Sequence, residues 1–383
     1  MGMMEEVMVK NPFIVGKYLS DKYFCGRESE TEFLRKQVEN GRNVALISPR
    51  RLGKSGLILH FFNQPDIKER YHVFFVDIYA TSSLAEFVYV LGKEIYEQLK
   101  PSTAVWKEKF FQIIASLRVG LKPDPLTGLV GLDLGLGDIQ SPQTTLDEIF
   151  EYLNQSDKPC IVAIDEFQQI REYAEQNVEA LLRTKIQRCQ TTQFIFAGSR
   201  RHVMSNMFNS SAKPFYQSAI SMGLEAIPEE TYADFATRLF EEREKTIDRE
   251  VIKNVWEAFE GCTWFVQMMM NELYALTPTE GHCHLDMIKE ARQNVILSQE
   301  SSFKDLLANI PAKQKIVLQA IAKEGIAKSI TSSKFVKKHN LNSASSVQAA
   351  VKLLLKNGIL TQGDDNSYRV YDYFFSEWLA TRY

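Results

Sequence analysis

The sequence has 383 residues, more than one hydrophobic core of ~100–200 residues usually serves, which predicts two or three domains. With 45% apolar, 11% aromatic and 24% charged residues, the composition lies near the globular average, which excludes a largely disordered chain. The formal net charge of −3 divides into −9 for residues 1–302 and +6 for residues 303–383, and such a basic tail on an acidic body points to a nucleic-acid partner.

The N-terminal segment Met1–Lys10 carries acids where a secretory signal has a basic and then an apolar run. No stretch of the sequence reaches the ~18–20 consecutive apolar residues of a membrane helix. Five scattered cysteines without a C-x-x-C pair indicate reduced thiols rather than disulfides. We therefore expect a cytoplasmic protein with no membrane partner.

The first half of the chain alternates short apolar runs with amphipathic helical stretches, which is the pattern of a parallel β-sheet covered by helices on both faces. Five of the apolar runs are rich in Val, Ile or Phe and predict buried strands. These runs are Val44–Ser48, Val73–Ile78, Cys160–Asp165, Phe194–Gly198 and Ile220–Leu224.

Between the second and third predicted strands lies a glycine-containing stretch, Leu121–Pro142, in which Leu and Val alternate with other residues. Its glycines include Gly128, Gly131, Gly135 and Gly137. The stretch lacks the strand-to-helix context of a dinucleotide-binding fingerprint, so we interpret it as an inserted hairpin.

After Pro228 the pattern becomes helical, with apolar residues at spacings of three and four. The predicted helices are Glu229–Glu244, Asp248–Phe259, Trp264–Leu276 and Asp286–Ser298. We interpret this group of helices as a small all-helical lid.

From Phe303 onward three helices and then a hairpin are predicted, which is the order of a winged helix. They are Ala312–Lys323, Ser332–His339, Ser343–Lys356 and the hairpin Leu360–Val370. The turn Gly363-Asp364-Asp365-Asn366 has residues that tolerate positive φ or bond their own backbone. The predicted fold is therefore α/β, with a parallel sheet in residues 1–227, a helical lid in 228–302 and a winged helix in 303–383.

The segment Ser48-Pro49-Arg50-Arg51-Leu52-Gly53-Lys54-Ser55 directly follows the first predicted strand. A phosphate-binding loop (P-loop) needs backbone N–H groups around the phosphates, a helix N-terminus facing them, a lysine on the β- and γ-phosphates and a hydroxyl on Mg²⁺. Gly53, Lys54 and Ser55 supply these parts. Ser48 stands where the usual pattern has its first glycine, which a serine can replace if its φ stays negative. The predicted nucleotide-binding residues of this segment are Pro49, Leu52, Gly53, Lys54, Ser55 and Gly56.

A second motif, Asp165-Glu166, ends a run of four apolar residues. Such a buried strand delivers its carboxylates to the carboxyl edge of the sheet, where ligands bind in open α/β folds. We predict that Asp165 and Ser55 hold Mg²⁺ and that Glu166 takes the proton of the water that attacks the γ-phosphate. The two motifs together predict that the α/β sheet is that of a P-loop NTPase, with ATP and Mg²⁺ as ligands; the alternative is a capped helix start and an ordinary acidic strand end.

The sequence resembles the archaeal-type P-loop ATPases, which are close to the AAA+ and STAND ATPases and are common in archaea and Bacteroides-like bacteria. The resemblance covers most of the chain, and the double arginine of the loop is its most distinctive mark. The residues that carry it are Asn11-Pro12-Phe13, Phe24-Cys25-Gly26-Arg27-Glu28, Pro49-Arg50-Arg51-Leu52-Gly53-Lys54-Ser55, Asp165-Glu166-Phe167-Gln168, Ala197-Gly198-Ser199 and Lys213-Pro214-Phe215-Tyr216.

The resemblance implies a sheet in which Phe194–Gly198 separates the acid-bearing strand from the P-loop strand. It places Ser199, just after that strand, at the position that contacts the γ-phosphate or the attacking water. It also implies that Arg200 or Arg201 senses the phosphate or acts on a neighbouring subunit, although a solvated surface pair explains these arginines equally well.

The resemblance further implies that Arg50 and Arg51 contact phosphate and that Gly26 and Arg27 shield the adenine. An ordinary helix start explains Gly26 and Arg27 almost as well. In the lid, the segment Gly261–Gln267 lacks the proline and tyrosine of the family's Gly-x-Pro-x-Tyr-x-Gln pattern, which puts a sensor role there in doubt.

The segment His282-Cys283-His284 contains three metal-binding side chains. Three adjacent residues on a turn do not converge on one ion without a distant further ligand. We therefore predict no zinc site from this segment alone.

The helix Ser343–Lys356 is the candidate DNA-reading element of the winged helix. Residues offered to a groove or to DNA phosphates are Ser343, Ser345, Ser346, Gln348, Lys352 and Lys356, with Lys334, Lys337 and Lys338 nearby. Against this interpretation, the helix has no arginine for a bidentate guanine contact. We interpret four apolar residues of the helix as its core face: Ala349, Leu353, Leu354 and Leu355.

Three functions therefore stay open. The first is an ATPase switch whose nucleotide state changes the packing of lid and winged helix. The second is an ATP-dependent protein that binds double-stranded DNA and resembles replication initiators, and the third is a nucleotide-binding scaffold with negligible hydrolysis. Winged helices also dock on proteins, so a protein partner is the alternative to DNA.

Overall fold

The structure, a computed structural model, describes residues 9–98, 120–123, 130–133, 141–363 and 365–382. The chain divides into two compact units. One is Gly16–Ile227, here called the sheet unit; the other, the helical unit, joins the described residues up to Val15 to those from Pro228 onward. None of the described helices combines the length and the apolar character needed to cross a membrane.

The elements are numbered in chain order through the described residues. The strands are β1 Val44–Ile47, β2 His72–Asp77, β3 Gly120–Pro123, β4 Val130–Asp133, β5 Cys160–Asp165, β6 Thr192–Gly198, β7 Ile220–Met222, β8 Thr246–Ile247, β9 His282–Cys283, β10 Leu360–Gln362 and β11 Tyr368–Val370. The α-helices are α1 Glu28–Glu39, α2 Lys54–Asn63, α3 Pro65–Arg70, α4 Leu84–Gln98, α5 Pro142–Asn154, α6 Val178–Arg188, α7 Arg201–Asn209, α8 Glu229–Glu241, α9 Arg249–Ala258, α10 Thr263–Leu276, α11 Met287–Ala308, α12 Ala312–Glu324, α13 Ser333–Lys338, α14 Ala344–Lys356 and α15 Tyr373–Arg382.

Five strands of the sheet unit form one parallel sheet in the order β2-β5-β6-β1-β7. Alternate residues of β5 enter two separate apolar clusters, Val162 and Ile164 on one face and Ile161 and Ala163 on the other. The predicted parallel sheet is confirmed, and so is the position of β6 between β5 and β1. Because all five strands run in the same direction, the residues that follow β1, β5 and β6 meet at one edge.

Four strands, β1, β2, β6 and β7, differ by one or two residues from their predicted bounds. β7 ends at Met222 rather than at Leu224, because it is an edge strand that pairs only with β1 and over only three residues. The predicted inserted hairpin is present as the antiparallel pair of β3 and β4, with Gly120 opposite Asp133. Its predicted glycines at 128, 135 and 137 lie outside the described residues.

The helical unit contains the four helices predicted for the lid, α8 to α11. The last of them is longer than predicted and continues to Ala308, because Phe303 and Leu307 extend the buried spacing set by Ala291 and Val295. One continuous helix thus crosses the predicted boundary between residues 302 and 303. The division into three domains remains a prediction.

The N-terminal Asn11-Pro12-Phe13 segment belongs to the helical unit. The Asn11 side chain donates to Asn271 O at 2.8 Å, and the Asn271 side chain donates to Phe13 O at 2.8 Å. The Phe13 ring is fully buried between aromatic rings of α8 and α10, including Phe240 and Tyr274. This motif therefore holds the start of the chain on the helices that follow the sheet.

The three helices and the hairpin predicted for the winged helix are present as α12, α13, α14 and β10–β11. Asn366 adopts a left-handed φ of 57° in the hairpin turn, and its N–H donates to Gly363 O. A final helix, α15, was not predicted, although its buried residues have helical spacing. They are Phe374, Phe375, Trp378 and Leu379.

Candidate nucleotide site

The P-loop joins β1 to α2, as predicted. Ser48 is fully buried and keeps a negative φ; its N–H donates to Gly198 O at 3.3 Å and its hydroxyl to Leu224 O at 3.3 Å. The left-handed turns of the loop fall instead at Arg51, with φ 67°, and at Gly53, with φ 91°. Serine therefore fits the first position of the loop without backbone strain.

Lys54 is the first residue of α2 and is buried. Its ammonium donates to Ser48 O and to Pro49 O, each at 3.0 Å. Burial lowers the pKa of Lys54, and attraction to the carboxylates of Asp165 and Glu166 opposes that shift. An ammonium has three protons, so the backbone of the loop orients two of them and one is available to a phosphate oxygen.

Ser55 and Asp165 come together although 110 residues separate them. The Ser55 hydroxyl donates to Asp165 Oδ2 at 2.5 Å, and the second carboxylate oxygen accepts the N–H of Glu166 at 2.9 Å. Burial raises the pKa of Asp165, and the hydrogen bond from Ser55 opposes the shift. A hydroxyl beside a carboxylate is an all-oxygen donor set, which fits Mg²⁺.

Glu166 follows β5 in a left-handed backbone conformation with φ 55°. Such a φ is uncommon for a residue with a long side chain, and here it turns the chain sharply after the strand. The turn brings Glu166 Oε2 within 2.9 Å of the Ser199 hydroxyl, which donates to it. The Gln168 amide donates to the same oxygen. Glu166 is therefore held by two side chains at the edge where Lys54 and Asp165 also lie.

Gln168 was not predicted as a site residue. Its side chain is buried, and its amide oxygen has no hydrogen-bond partner among the described residues. The sequence signal for Gln168 was its position two residues after Glu166. The contact between the two side chains, however, depends on the left-handed φ of Glu166.

Tyr79, which was also not predicted, lies under the Arg50 guanidinium at 5.8 Å from its ring centre.

Arg50 reaches the site from the P-loop, and its Nε donates to Ser199 Oγ at 3.4 Å. Arg200 instead forms an exposed ion pair with Glu172 at 2.8 Å. Arg201, the first residue of α7, is exposed. Of the three arginines, the structure therefore brings only Arg50 against the predicted sensor position, Ser199.

Gly26 and Arg27 both have left-handed φ values, 62° and 76°. The buried Arg27 guanidinium donates to Leu52 O at 3.1 Å and to Glu225 O at 2.8 Å, and it pairs with Glu30 at 2.5 Å. Arg27 therefore braces the P-loop backbone from outside.

Gly56 lies in the first turn of α2, where an added Cβ would meet the ring of Phe24 at 3.4 Å. That ring stacks on His60 with centroids 4.3 Å apart.

In the helical unit, Gln267 is bound by Ile14 O and by the Tyr232 hydroxyl. These contacts give Gln267 a packing role, in line with the missing proline and tyrosine of its segment.

The exposed face of α14 differs from the prediction in one respect. Ala349 and Leu353 were interpreted as core residues, but both are exposed, and Leu353 retains 46% of its accessible surface. The core face of the helix is instead formed by buried residues that repeat every three to four positions from Val347. They are Val347, Ala350, Val351 and Leu354.

The outward face of α14 therefore combines polar, basic and apolar residues. It consists of Ser345, Gln348, Ala349, Lys352, Leu353 and Lys356. The three lysines predicted near it, Lys334, Lys337 and Lys338, are all exposed, and Lys338 also forms an ion pair with Glu324 at 2.6 Å.

Residues 24–269 match the profile of a family described as an ATPase domain predominantly from Archaea. Residues 301–381 match a second profile, described as "Probable winged helix domain". No curated protein matches the sequence.

Three solved structures share the fold over nearly the whole chain. The Walker-type ATPase paby2304 of Pyrococcus abyssi is 19% identical, with a TM-score of 0.64 over 96% of this chain and 99% of that one. The ORC2 protein of Aeropyrum pernix, solved in ADPNP-ADP complexes, is 12% identical, with a TM-score of 0.60 over 97% and 95%. The ORC1 protein of the same organism, solved in complex with DNA, is 12% identical, with a TM-score of 0.52 over 94% and 92%.

Proposed function

This chain belongs to the family of ATPase domains found predominantly in Archaea, and from that premise we propose that it binds and hydrolyses Mg-ATP and uses the nucleotide state to switch its winged helix. The observation that carries the proposal is the Ser55–Asp165 hydrogen bond of 2.5 Å. This hydrogen bond links Ser55, in the loop that would bind phosphate, with Asp165, the carboxylate that would bind the metal ion.

Nucleotide binding would use the P-loop backbone and Lys54. The N-terminus of α2 offers unpaired N–H groups and a partial positive charge to the phosphates. The free proton of Lys54 would contact the β- and γ-phosphates, with Arg50 beside them. Pro49, Arg51, Leu52 and Gly56 complete the proposed cradle.

Mg²⁺ would be held by Ser55 and Asp165, and it would neutralise charge on the phosphate oxygens. Gly26 and Arg27 would limit the site on the adenine side. Arg27 already fixes the carbonyl of Leu52, so its part in binding would be to keep the loop in place.

Hydrolysis would use Glu166 as the general base. Its carboxylate oxygen is held by Ser199 and Gln168, so the base is positioned before water arrives. Ser199 would contact the γ-phosphate or the attacking water, and Glu166 would accept the proton as the oxygen attacks phosphorus.

A second candidate function, ATP-dependent binding of double-stranded DNA, is favoured by the exposed face of α14. Lys352 and Lys356 lie on that face beside Gln348, and residues 303–383 carry a net charge of +6. A relative of similar fold, ORC1 of Aeropyrum pernix, was solved in complex with DNA. The exposed Leu353 on the same face suits a protein partner instead, so the experiment has to separate the two.

The test compares wild type with Lys54→Ala, using Lys36→Ala, which removes an exposed lysine of α1, as the matched control. Mg-ATP affinity and turnover are measured with and without duplex DNA over a range of salt concentrations. We expect Lys54→Ala to abolish Mg-ATP binding and Lys36→Ala to leave it unchanged. A wild-type protein that fails to bind Mg-ATP would overturn the proposal.

For DNA, each phosphate neutralised contributes about −0.9 to the slope of log affinity against log salt. Lys352→Ala with Lys356→Ala would flatten that slope, whereas the matched double variant Lys313→Ala with Lys323→Ala, at two exposed lysines of α12, would flatten it less. A salt-independent response, with turnover unaffected by DNA, would exclude DNA and leave a protein as the partner of the switch.

A further inference from the structure

A two-stranded parallel ladder in the helical unit brings together polar side chains from distant segments. In this ladder Thr246 of β8 lies opposite His282 of β9. Asp248 continues the first strand, because its N–H donates to Cys283 O at 3.3 Å. Since side chains alternate along a strand, Thr246 and Asp248 share one face of the ladder with His282 and His284.

The opposite face of the ladder is apolar. Ile247 and Cys283 lie opposite each other in the register, and both are buried. Cys283 therefore belongs to the core, and the two flanking histidines are separated from it by the alternation of the strand.

Asp248 brings a carboxylate from a distant segment beside the two histidines. Its Oδ1 lies 2.9 Å from His282 Nε2, and its Oδ2 lies 3.7 Å from His284 Nδ1. The two imidazole rings have centroids 4.3 Å apart. One ligand atom from each of the three residues lies within 4.8 Å of the others.

These separations suit one small transition-metal ion. A tetrahedral zinc ion with bonds of about 2.0–2.2 Å to nitrogen and oxygen holds its ligand atoms roughly 3.4 Å apart. The distances of 2.9 and 3.7 Å from Asp248 lie on either side of that value. Small rotations of the three side chains are therefore enough to enclose an ion.

The ring of His282 is also oriented by a hydrogen bond at its second nitrogen. Its Nδ1 shares a hydrogen bond of 2.6 Å with the Thr246 hydroxyl, which leaves Nε2 facing Asp248. Metal-binding histidines usually have such a partner on the second nitrogen, since it fixes the tautomer and the ring. His284 and Asp248 are exposed, so an ion has direct access from solvent.

We propose that Asp248, His282 and His284 bind a divalent transition-metal ion of the zinc class, with Thr246 as a positioning residue. Two imidazoles favour zinc, copper or nickel over Mg²⁺ and Ca²⁺, which prefer oxygen ligands. With three protein ligands, the ion keeps at least one open position for water. It would join two segments that are 34 residues apart in the sequence and so stabilise the helical unit.

The experiment uses full-length protein without a histidine tag, stripped with a chelator and free of nucleotide. Equilibrium dialysis against Zn²⁺ should give one ion per chain, undisturbed by excess Mg²⁺. His284→Ala and Asp248→Asn should each weaken binding at least about tenfold, and Thr246→Val by about 10- to 100-fold. His202→Ala, which removes an exposed histidine of the sheet unit, is the control and should bind as wild type does. Wild-type affinity in both His284→Ala and Asp248→Asn would overturn the proposal.

A second measurement needs no variant and so is independent of folding defects. The protein has six histidines, and added Co²⁺ should broaden the imidazole NMR signals of two of them, His282 and His284, before the others. Zn²⁺ added in equal amount should prevent that broadening. Broadening spread evenly over all six histidines would contradict a defined site.

Discussion

Ser199 Oγ donates to Glu166 Oε2 at 2.9 Å and accepts from Arg50 Nε at 3.4 Å. Ser199 follows β6 and Glu166 follows β5, so the contact arises because these strands are neighbours in the sheet. One hydroxyl thus links the P-loop to the proposed general base. The two donors on the carboxylate, Ser199 and Gln168, are both neutral, and the Arg50 cation acts on it only through Ser199.

Ser199→Ala is expected to lower turnover about 10- to 100-fold, because Glu166 loses one of the two side chains that hold its carboxylate. Nucleotide affinity should change little, since Lys54 and the P-loop backbone are untouched. The measurement is kcat at saturating Mg-ATP together with the Kd for Mg-ADP. Ser211→Ala, at an exposed serine after α7, is a control that should leave both values unchanged. Undiminished kcat in Ser199→Ala would contradict the role given to this hydroxyl.

Gly198→Ala is expected to destabilise the sheet unit by about 1–3 kcal/mol, as overpacking of a close-packed core usually does. An added Cβ would lie 2.6 Å from Met204 Sδ, and the Gln168 amide oxygen would be displaced as well. Because Gln168 holds Glu166, turnover should fall in the same variant.

The matched control is Gly223→Ala, whose Cβ would first meet Ile47 O at 3.5 Å, an ordinary contact. Urea unfolding of both variants measures the free energy of unfolding. Equal stability of the two variants would show that the space around Gly198 is not restrictive.

Asp165→Asn is expected to stabilise the nucleotide-free protein while weakening Mg-nucleotide binding. Burial raises the pKa of Asp165, so the folded state holds a proton there up to a higher pH than the unfolded state does. The free energy of unfolding then falls as pH rises from the pKa of the unfolded state through the pKa of the folded state. Above both pKa values the carboxylate is charged in both states, and the free energy of unfolding carries the full cost of burying that charge. A neutral amide does not carry that cost.

Urea unfolding of wild type and Asp165→Asn at several pH values tests this sign. The advantage of Asp165→Asn should be larger at neutral pH than in acid near the unfolded pKa. Asp305→Asn, at an exposed carboxylate of α11, is the control variant. A loss of stability in Asp165→Asn that grows with pH would mean that the fold favours the charged form.

The meeting of Lys54, Ser55, Asp165 and Glu166 at one edge of the sheet followed from local sequence, whereas the position of β6 between β5 and β1 was implied by the family resemblance. Apolar runs followed by polar residues mark strands whose carboxyl ends share one edge. The contact of Gln168 with Glu166 could not be predicted in this way, because it depends on a left-handed φ at Glu166, a conformation that long side chains seldom adopt.

Other features depended on tertiary contacts. The apolar residues of α14 are so frequent that their helical spacing fits two adjacent faces, and only packing shows that Leu354 is buried while Leu353 is exposed. The pairing of Asp248 with His282 requires a two-residue strand in each of two segments, which is too short to leave a periodic pattern.

The most direct test of the central claim is the behaviour of Glu166→Gln with Mg-ATP. We expect this variant to bind Mg-ATP at least as tightly as wild type and to lose nearly all turnover, because the amide occupies the same space but cannot accept the proton. Glu151→Gln, at an exposed carboxylate of α5, should turn over ATP at the wild-type rate. Turnover by Glu166→Gln equal to that of wild type would contradict the account and favour a nucleotide-binding scaffold.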